Sequence, residues 1–413
     1  MTTTAAAVLL LVGSSHAFLL PSTVPNANSV ASALFAAEEK SRVAQVGGGL
    51  PLDPPGTPEH LDHYDAGMFV NTNARVEAGV DYKFSGWGTA AASTSSTTDT
   101  DSTTVPQPSK LVEAQHWLED IGLPLNFAKP AAPVQATVMG RIKLIGDDAP
   151  GDIQHVVLKL PEGMHYVEGQ SLSVIPPGLA DNGKPYKPRL YSIASTRYGD
   201  LLDGNTVSLC VRRAEFWDSQ TNSMDPTKAG VCSKFLSSAQ PGDVVSVAGP
   251  VGKTMLLPED PSTNIIMVAT GTGVAPFRAF LHRLFMEQTL ARHAFTGEAW
   301  LILGVPVTPG LLYQEELDAM QATSKQLKID YAISREMKNQ QGGKLYVQDV
   351  LAEQSDRLLE QLENGAVIYF CGLKGMMPGI LESLESVCAS RNLNFADKMK
   401  DWKANHQWHV EVY

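Results

Sequence analysis

A chain of 413 residues is longer than one ordinary domain, so two folded domains are the expectation. Hydrophobic residues make up 43 % and charged residues 18 %, which is typical of a soluble globular protein, and the net charge is −12. An acidic chain argues against non-specific nucleic-acid binding, which needs a basic surface. The four cysteines have neither C-x-x-C nor zinc spacing, so we expect thiols and no metal site.

The first 37 residues contain no Asp, Glu, Lys or Arg. Ala5–Val12 is an apolar run too short to span a bilayer, and the small residues after it predict a signal peptide over 1–17. No Lys or Arg precedes the run, which is unusual for such a signal. Residues 18–37 open on Phe18 and resemble the transit-peptide half of the bipartite presequences of algal plastids with extra membranes. This resemblance implies a plastid location, the stroma or the thylakoid surface; plain secretion is the alternative.

Residues 38–130 lack a regular hydrophobic period. They include Gly47-Gly48-Gly49, a proline-rich stretch at 51–58 and a Ser/Thr-rich tract at 89–106. Such composition buries too little apolar area to offset chain entropy, so we predict a flexible tail. Only Lys110–Asp120 has the spacing of a short helix. A small docking module for a membrane or antenna partner is the alternative.

Short β-branched runs alternate with Gly, Pro and Asp turns from Val134 onward. This spacing predicts an antiparallel β-barrel or sandwich over 131–260. The predicted strands are Ala136–Leu144, Ile153–Leu160, Ser171–Ile175, Arg189–Ala194, Thr206–Arg212 and Val244–Val247.

Strands and helices alternate from Asn264 to the end of the chain. Alternation of this kind predicts an α/β domain with a doubly wound parallel sheet over 261–413, and His409–Tyr413 is expected to be its last strand. The earlier predicted strands are Ile265–Ala269, Ala299–Leu303, Ile329–Ile333 and Ala366–Cys371. The predicted helices are Val274–Leu290, Leu312–Ala322, Val347–Leu362 and Gly375–Arg391.

A glycine-rich turn, Thr270-Gly271-Thr272-Gly273, lies between the first of these strands and the first helix. Glycines at such a turn let the backbone approach a pyrophosphate, and a helix N-terminus favours its negative charge. Pro276 occupies the last glycine position of the usual G-x-G-x-x-G pattern, so the turn alone is weak evidence. Its position after a strand and before a helix strengthens the prediction of a dinucleotide site.

The sequence favours NADP over NAD as the dinucleotide. A site for NAD needs an acidic residue after the second strand. That strand ends here on Val305-Pro306, and neither residue is acidic. The third strand instead ends on Ser334-Arg335, and Lys344 and Tyr346 follow. Arg and Lys attract a dianionic 2′-phosphate. Ordinary solvated surface is the alternative for these cations.

Within the predicted barrel, the stretch Arg189–Ser195 places an Arg and a Tyr on one strand face. The Arg suits a pyrophosphate and the Tyr ring suits a planar ring system. Gly230-Val231-Cys232-Ser233 precedes a predicted short helix, Lys234–Ser238, whose free N–H groups suit the same pyrophosphate. Together these features predict a flavin nucleotide on the barrel.

Several motifs in register resemble the plastid-type ferredoxin–NADP⁺ reductase family. The similarity runs from about Gly146 to Tyr413, roughly two thirds of the chain. It implies an antiparallel β-barrel FAD domain followed by an NADP-binding α/β domain. The motifs are Arg189–Ser195, Gly230–Ser233, Gly249–Lys253, Thr270–Arg278, Tyr369–Met376 and Val410–Tyr413.

The resemblance assigns cofactor-binding roles residue by residue. Two departures concern Arg212, where the family has Lys, and Phe216, where the family has a Tyr against the adenine; the neighbouring Trp217 is the alternative ring. The residues implied for FAD are Arg189, Leu190, Tyr191, Ser192, Cys210, Val211, Phe216, Val231, Cys232, Ser233 and Tyr413. Those implied for NADP(H) are Arg212, Thr272, Val305, Pro306, Ser334, Arg335, Lys344, Tyr346, Gly372 and Leu373.

The resemblance also implies the chemistry. Ser192, Cys371 and Glu411 are expected to form a polar cluster that orients the nicotinamide and passes protons towards the flavin. Tyr413, at the end of the last strand, is expected to stack on the flavin face opposite Tyr191 and to move aside for the nicotinamide. A terminal Tyr simply packed into the sheet edge is the alternative.

The implied partner is ferredoxin, which is acidic, so a local basic patch is expected on this acidic chain. The candidates are Lys184, Lys187, Arg197, Arg141, Lys143, Lys400 and Lys403. A reductase of the same plan that serves flavodoxin or another carrier is one alternative function, and a non-catalytic plastid docking protein is another. Peripheral thylakoid association is a further expectation, and the direction of electron flow stays open.

Overall fold

The computed structural model describes residues 123–413 except 181, 202–203, 219–221, 226–227, 229 and 288–289. The predicted signal peptide, transit segment and most of the predicted tail therefore lie outside the described residues. Residues 123–130, which we assigned to the tail, instead lie against the barrel. Ala128 pairs with Gly249, and Gln170 Nε2 donates to the carbonyl of Pro124 at 2.7 Å. The barrel region thus begins before residue 131, and the boundary near residue 260 stays a prediction.

Six strands form an antiparallel sheet in the order β4-β3-β8-β1-β2-β5. Ile193 bridges to Leu209, and the Ala194 N–H donates to the Ser208 carbonyl at 2.8 Å, so the two ends of the sheet meet and the barrel closes. Closure removes strand edges that would otherwise pair with other chains. The strands of this region are β1 Val134–Lys143, β2 Ile153–Lys159, β3 Ser171–Ile175, β4 Arg189–Ser192, β5 Thr206–Arg212, the short β6 Trp217–Asp218 and β7 Ser223–Met224, and β8 Val244–Val251.

Side chains of β1 alternate between core and solvent, whereas those of β2, β3 and β5 are buried almost throughout. In β1, Ala136, Val138 and Gly140 are buried while Thr137 and Met139 between them are exposed, which is the period of two expected for a half-buried strand. Helix α1, Val231–Ser238, covers one opening of the barrel and inserts Leu236 into its core. The helix begins three residues before the predicted start at Lys234.

The second sheet is parallel and has the strand order β11-β10-β9-β12-β13. Its first three strands follow one another to one side, and the last two lie on the other side of β9. Parallel sheets with this reversal bind ligands at the carboxyl ends of the strands where the order changes, here β9 and β12. The strands are β9 Ile265–Thr270, β10 Ala299–Val305, β11 Leu327–Ile333, β12 Val367–Gly372 and β13 Trp408–Val412.

The helices of this domain differ from the prediction in two places. The predicted helix Val274–Leu290 changes to a π-helical turn at His282–Met286, and the predicted helix Val347–Leu362 is divided at Gln354. The helices are α2 Ala275–Leu281, α3 Leu290–Ala294, α4 Gln314–Thr323, α5 Val347–Glu353, α6 Ser355–Glu363, α7 Met377–Ser390 and α8 Phe395–Ala404. No helix within the described residues is long and apolar enough to cross a bilayer.

Helix α8 was not predicted, and it covers the last strand. Asn394 caps it, since its side-chain oxygen accepts from the N–H groups of Ala396 and Asp397. Trp402 is buried and stacks on Trp408 of β13, with ring centroids 6.1 Å apart. This packing explains why the chain can end on an ordered strand. The predicted fold class, an antiparallel barrel followed by a doubly wound α/β domain, is confirmed.

Candidate functional site

Two cross-strand pairs face each other where the barrel meets the parallel sheet. Ser171 lies opposite Ser192 across β3 and β4, and Cys371 lies opposite Glu411 across β12 and β13. Ser171 Oγ donates to Glu411 Oε1 at 2.6 Å, and Ser192 Oγ lies 3.9 Å from Cys371 Sγ. The predicted cluster of Ser192, Cys371 and Glu411 is therefore brought together. Ser171 was missed, because its register opposite Ser192 cannot be read before the strands are paired.

The titratable groups of this cluster keep their protons to higher pH than usual. Burial raises the pKa of the Glu411 carboxyl, although hydrogen bonds from Ser171 and Ser192 oppose the shift. Burial also raises the pKa of the Cys371 thiol to about 12, and the Glu411 carboxyl adds to that shift. Cys371 is thus a neutral thiol at physiological pH, and the Glu411 carboxyl holds its proton to higher pH than an exposed glutamate does.

Tyr413 is held at this corner through its backbone while its ring stays accessible. Its N–H donates to the Gly372 carbonyl at 3.0 Å, and its own carbonyl accepts from the Lys374 N–H at 2.8 Å. Its hydroxyl hydrogen-bonds to Thr272 of the glycine-rich turn. The side chain is 59 % exposed. Burial raises the pKa of this hydroxyl, so the hydroxyl end of the ring is enclosed although the residue as a whole is exposed. The lid and the ring packed at the sheet edge both stay predictions.

Large apolar side chains stand exposed around the same corner. Leu190 is 63 % exposed and Leu373 is 52 % exposed, while Tyr191 of β4 is half-buried. Burial raises the pKa of the Tyr191 hydroxyl, and its contact with the Cys232 thiol raises it further. Tyr191 thus offers a neutral aromatic face.

The N-terminus of α1 lies beyond the barrel motif. Gly230 precedes the helix in an extended conformation and offers no side-chain cap, so the first N–H groups keep their donors for another partner. The Ser233 hydroxyl accepts from the Ala214 N–H at 3.0 Å and donates to the Gly230 carbonyl at 3.2 Å. Of the predicted phosphate ligands here, the backbone of Val231, Cys232 and Ser233 is thus better placed than the Ser233 side chain.

Phe216 stands 42 % exposed, and the Lys228 ammonium lies over one face of its ring, 4.7 Å from the centroid. The other face of Phe216 is the one on which a base can stack. The side chain of Trp217, the alternative ring, is outside the described residues.

The structure places two predicted flavin-site residues in buried positions and corrects one expectation, that for Arg197. Val211 is fully buried in the barrel core, so only its backbone can line a ligand site. Cys210 is buried at the seam between the two domains, close to Tyr313, and burial raises the pKa of its thiol to about 12. Arg197 is not part of a basic surface patch, because it is buried and its guanidinium pairs with Glu168 at 2.6 Å.

The glycine-rich turn leaves a hollow beside the end of β9. Gly271 has a φ of +53°, and a Cβ built there would meet no atom within 4 Å. Gly273, in contrast, is pressed against β12, since a Cβ there would lie 2.1 Å from the Cys371 carbonyl oxygen. The turn runs directly into α2. One glycine thus permits close packing of the turn on the sheet, and the other leaves room for a phosphate at the helix N-terminus.

The residues predicted for the 2′-phosphate also come together. The Ser334 N–H donates to the Val305 carbonyl at 3.0 Å, and the Arg335 N–H donates to the Pro306 carbonyl at 2.9 Å. These bonds join the ends of β10 and β11. Tyr346 caps α5 and is 44 % exposed, and Lys344 next to it is exposed on a short hairpin.

A buried ion cluster that the sequence did not reveal ties the two domains together. Arg278 of α2 pairs with Asp200 of the barrel region at 2.9 Å and with Glu316 of α4 at 2.7 Å. It also donates to the carbonyl of Ala194, two residues after Ser192, at 2.8 Å. His155 pairs with Asp200 at 2.8 Å. The helix that follows the glycine-rich turn is thereby fixed to the strand that carries the Tyr191 face.

Comparison with known proteins agrees with this geometry. Residues 267–382 match the family model described as "Oxidoreductase NAD-binding domain". The chloroplastic ferredoxin–NADP reductase, embryo isozyme, of Oryza sativa subsp. japonica is 52 % identical over 294 residues, which cover 70 % of this chain and 78 % of the rice protein. The chloroplastic ferredoxin–NADP reductase of Chlamydomonas reinhardtii is 47 % identical, covering 78 % of this chain and 89 % of the algal protein.

The chain belongs to the ferredoxin–NADP reductase family. A solved ferredoxin–NADP⁺ reductase from Plasmodium falciparum superposes with a TM-score of 0.55 at 25 % identity, covering 70 % of this chain and all of that one. Members of this family are flavoprotein oxidoreductases that use FAD and NADP(H). The exposed Leu190, the open N-terminus of α1 and the hollow beside Gly271 fit these two cofactors.

Proposed function

We propose that this chain is an enzyme that transfers electrons between ferredoxin and NADP(H) through bound FAD, most directly to make NADPH in photosynthetic electron transport. FAD, when bound, supplies the exchange between single electrons from an iron–sulfur protein and the electron pair that NADP(H) carries. The observation that carries the proposal is the meeting of Ser192 with Cys371 and of Ser171 with Glu411 across the two domains. This contact would bring the flavin face of the barrel beside the dinucleotide site of the parallel sheet.

The residues of the barrel would hold FAD by its two ends. Arg189 and the first N–H groups of α1 would bind the pyrophosphate, since both present positive charge to it. Tyr191 would support one face of the flavin ring, and the free face of Phe216 would take the adenine. The position of Arg189 and Tyr191 on one face of β4 supports this arrangement, because the cation and the ring then face the same ligand.

The residues of the parallel sheet would hold NADP(H). The hollow beside Gly271 would take the pyrophosphate, and Thr272 with Val305 and Pro306 would border it. Arg335 and Lys344 would bind the 2′-phosphate. Gly372 and Leu373 would border the nicotinamide, which places it next to Cys371. Arg212 is exposed on β5 and would reach the same dinucleotide as a planar fork, in place of the family's point-like ammonium.

The polar cluster would orient the nicotinamide and control its protons. The neutral Cys371 thiol and the Ser192 hydroxyl can contact the ring without placing a charge beside it. The Glu411 carboxyl is the proton donor and acceptor of the group, because burial holds its proton to higher pH than usual. Tyr413 would act as a lid, since its exposed ring is tethered only by backbone bonds and the Thr272 contact.

The surface for ferredoxin would be basic. Lys184, Lys187, Lys400 and Lys403 are exposed, whereas Lys143 is paired with Asp147 at 2.6 Å and Arg141 donates to the Ala239 carbonyl. The patch is therefore narrower than the sequence suggested. We expect a plastid location, since the relatives are named chloroplastic. Flavodoxin as a second carrier and a peripheral thylakoid association stay predictions from the sequence.

The test is the spectrum of the purified full chain. We expect one bound FAD per chain, visible as yellow colour, and loss of that colour when NADPH is added without oxygen. NADH at the same concentration should reduce the flavin at least tenfold more slowly, since a 2′-phosphate contact that involves charged groups contributes about 1.5–3 kcal/mol. A colourless protein that cannot take up FAD would refute the proposal.

A further inference from the structure

The hairpin that follows β11 carries a third cation besides Arg335 and Lys344. Lys338 lies opposite Lys344 in an isolated antiparallel bridge. The Asn339 N–H donates to the Gly343 carbonyl at 3.1 Å, and the Leu345 N–H donates to the Met337 carbonyl at 3.2 Å. These bonds flank the bridge, so Lys338 and Lys344 form a non-hydrogen-bonded pair, in which side chains approach most closely.

Two like charges in such a pair repel each other. Cβ atoms of directly opposed residues lie about 4.5–5.5 Å apart and project from the same face, and like charges there destabilise the strand pair. Among the described residues, no acidic side chain forms an ion pair with Arg335, Lys338 or Lys344. The arrangement therefore leaves three cations without a protein counter-charge on a short segment.

The acidic side chains Glu336 and Asp349, near these cations, hydrogen-bond to other groups. Glu336 is the only acidic residue in 333–346, and its carboxylate accepts from the Thr308 N–H at 2.8 Å and from the Thr308 hydroxyl. Asp349 accepts from the Tyr346 N–H at 2.7 Å and from Asn339 Nδ2 at 3.0 Å. These bonds hold the hairpin against α5. Arg335, Lys338 and Lys344 are all exposed.

We propose that Lys338 is a specificity residue that binds the 2′-phosphate of NADP(H) together with Arg335 and Lys344. This inference rests on the proposed function and adds a residue to it. A dianion between the two lysines would turn their mutual repulsion into a shared attraction. Lys338 lies three residues after Arg335, whose backbone is fixed to Pro306, and directly opposite Lys344, so one phosphate can contact all three.

The test measures the binding of 2′-phospho-AMP and of AMP to the full chain by calorimetry. Lys338→Gln should weaken 2′-phospho-AMP binding about three- to tenfold, as expected for loss of a partly exposed ionic hydrogen bond, and leave AMP binding unchanged. Lys338→Arg should retain most of the affinity. The effect should shrink at high salt and below about pH 6, where the phosphate loses one charge.

Lys325→Gln is the matched control. Lys325 is exposed and precedes β11, so it lies at the opposite end of that strand from Arg335. The Lys325→Gln variant should bind 2′-phospho-AMP and AMP with the affinities of the wild type. The inference is overturned if Lys338→Gln binds 2′-phospho-AMP like the wild type, or if it weakens AMP equally, because the residue then acts on the hairpin alone. Failure of the wild-type chain to bind 2′-phospho-AMP would instead overturn the proposed function.

Discussion

Replacing Arg278 with methionine is expected to destabilise the protein strongly. The guanidinium is buried between Asp200 and Glu316, which come from the two domains, and it is 2.9 Å and 2.7 Å from their carboxylates. Breaking a buried ion pair by removing one partner costs about 3–5 kcal/mol, since it leaves buried charge uncompensated. For a folded region of this size, that loss corresponds to a fall in Tm of roughly 5–10 °C.

The assay is thermal unfolding followed by circular dichroism, with Arg335→Met as the matched control. Arg335 is exposed and has no ion pair with a described residue, so its loss should change Tm by less than about 1 °C. Adding Asp200→Asn and Glu316→Gln to the Arg278 variant should recover part of the loss, because the uncompensated charges are then gone. Equal Tm values for Arg278→Met and the wild type, or no recovery in the triple variant, would refute the reasoning.

The Arg278 cluster also makes the stability of the fold depend on pH in the acid range. Burial alone would raise the pKa values of the Asp200 and Glu316 carboxyls. The charge of Arg278 and the neighbouring histidines more than offset that effect, so the pKa values of both carboxyls lie below the usual range. The stabilisation is therefore present at neutral pH and is lost as the pH falls below the ordinary carboxyl range. In Arg278→Met this acid dependence should be much weaker.

Three other predictions follow from the described residues. Tyr413→Ser should tighten NADP⁺ binding and lower ferredoxin-linked turnover, because the lid no longer competes with the nicotinamide; unchanged values for both would contradict the lid. Ferredoxin affinity should fall steeply between low and high salt, since a basic patch on an acidic chain must attract the carrier, and a flat salt response would remove that argument. Burial raises the pKa of Glu287 to about 8, so stability should decline as the pH rises from about 4.5 through 8. Glu287→Gln should abolish that decline in urea unfolding, and an unchanged pH profile would show that Glu287 is not its source.

The sequence predicted the fold well wherever local pattern determines structure. Alternating polar and apolar residues predict the strands Ser171–Ile175 and Thr206–Arg212 with the bounds that the structure shows, although nearly every residue of both strands is buried. The predicted helix Val274–Leu290 is longer than α2, because hydrophobic spacing does not reveal the π-helical turn at His282–Met286. Helix α8 was missed because its apolar face is short and depends on the stacking of Trp402 on Trp408.

For the site residues too, local motifs were predictive and tertiary contacts were not. Ser192, Cys371 and Glu411 were predicted because each sits in a family motif, and the structure brings them together, whereas Ser171 and Arg278 make contacts between distant strands and helices. Burial was also invisible in the sequence: Arg197 beside the flavin motif suggested a surface cation, yet Glu168 draws it into the interior. A residue's type and spacing thus predict its chemistry, and only the packing shows whether the residue is buried and which groups it contacts.

The most direct test of the central claim is ferredoxin-dependent formation of NADPH by the purified full chain. Reduced ferredoxin and NADP⁺ are mixed with the protein, and absorbance at the NADPH band is followed, with NAD⁺ as the matched acceptor. Rapid NADPH formation that requires both ferredoxin and bound FAD, with little product from NAD⁺, is the predicted result. A protein that carries FAD and yet forms no NADPH above the ferredoxin-free background would contradict it.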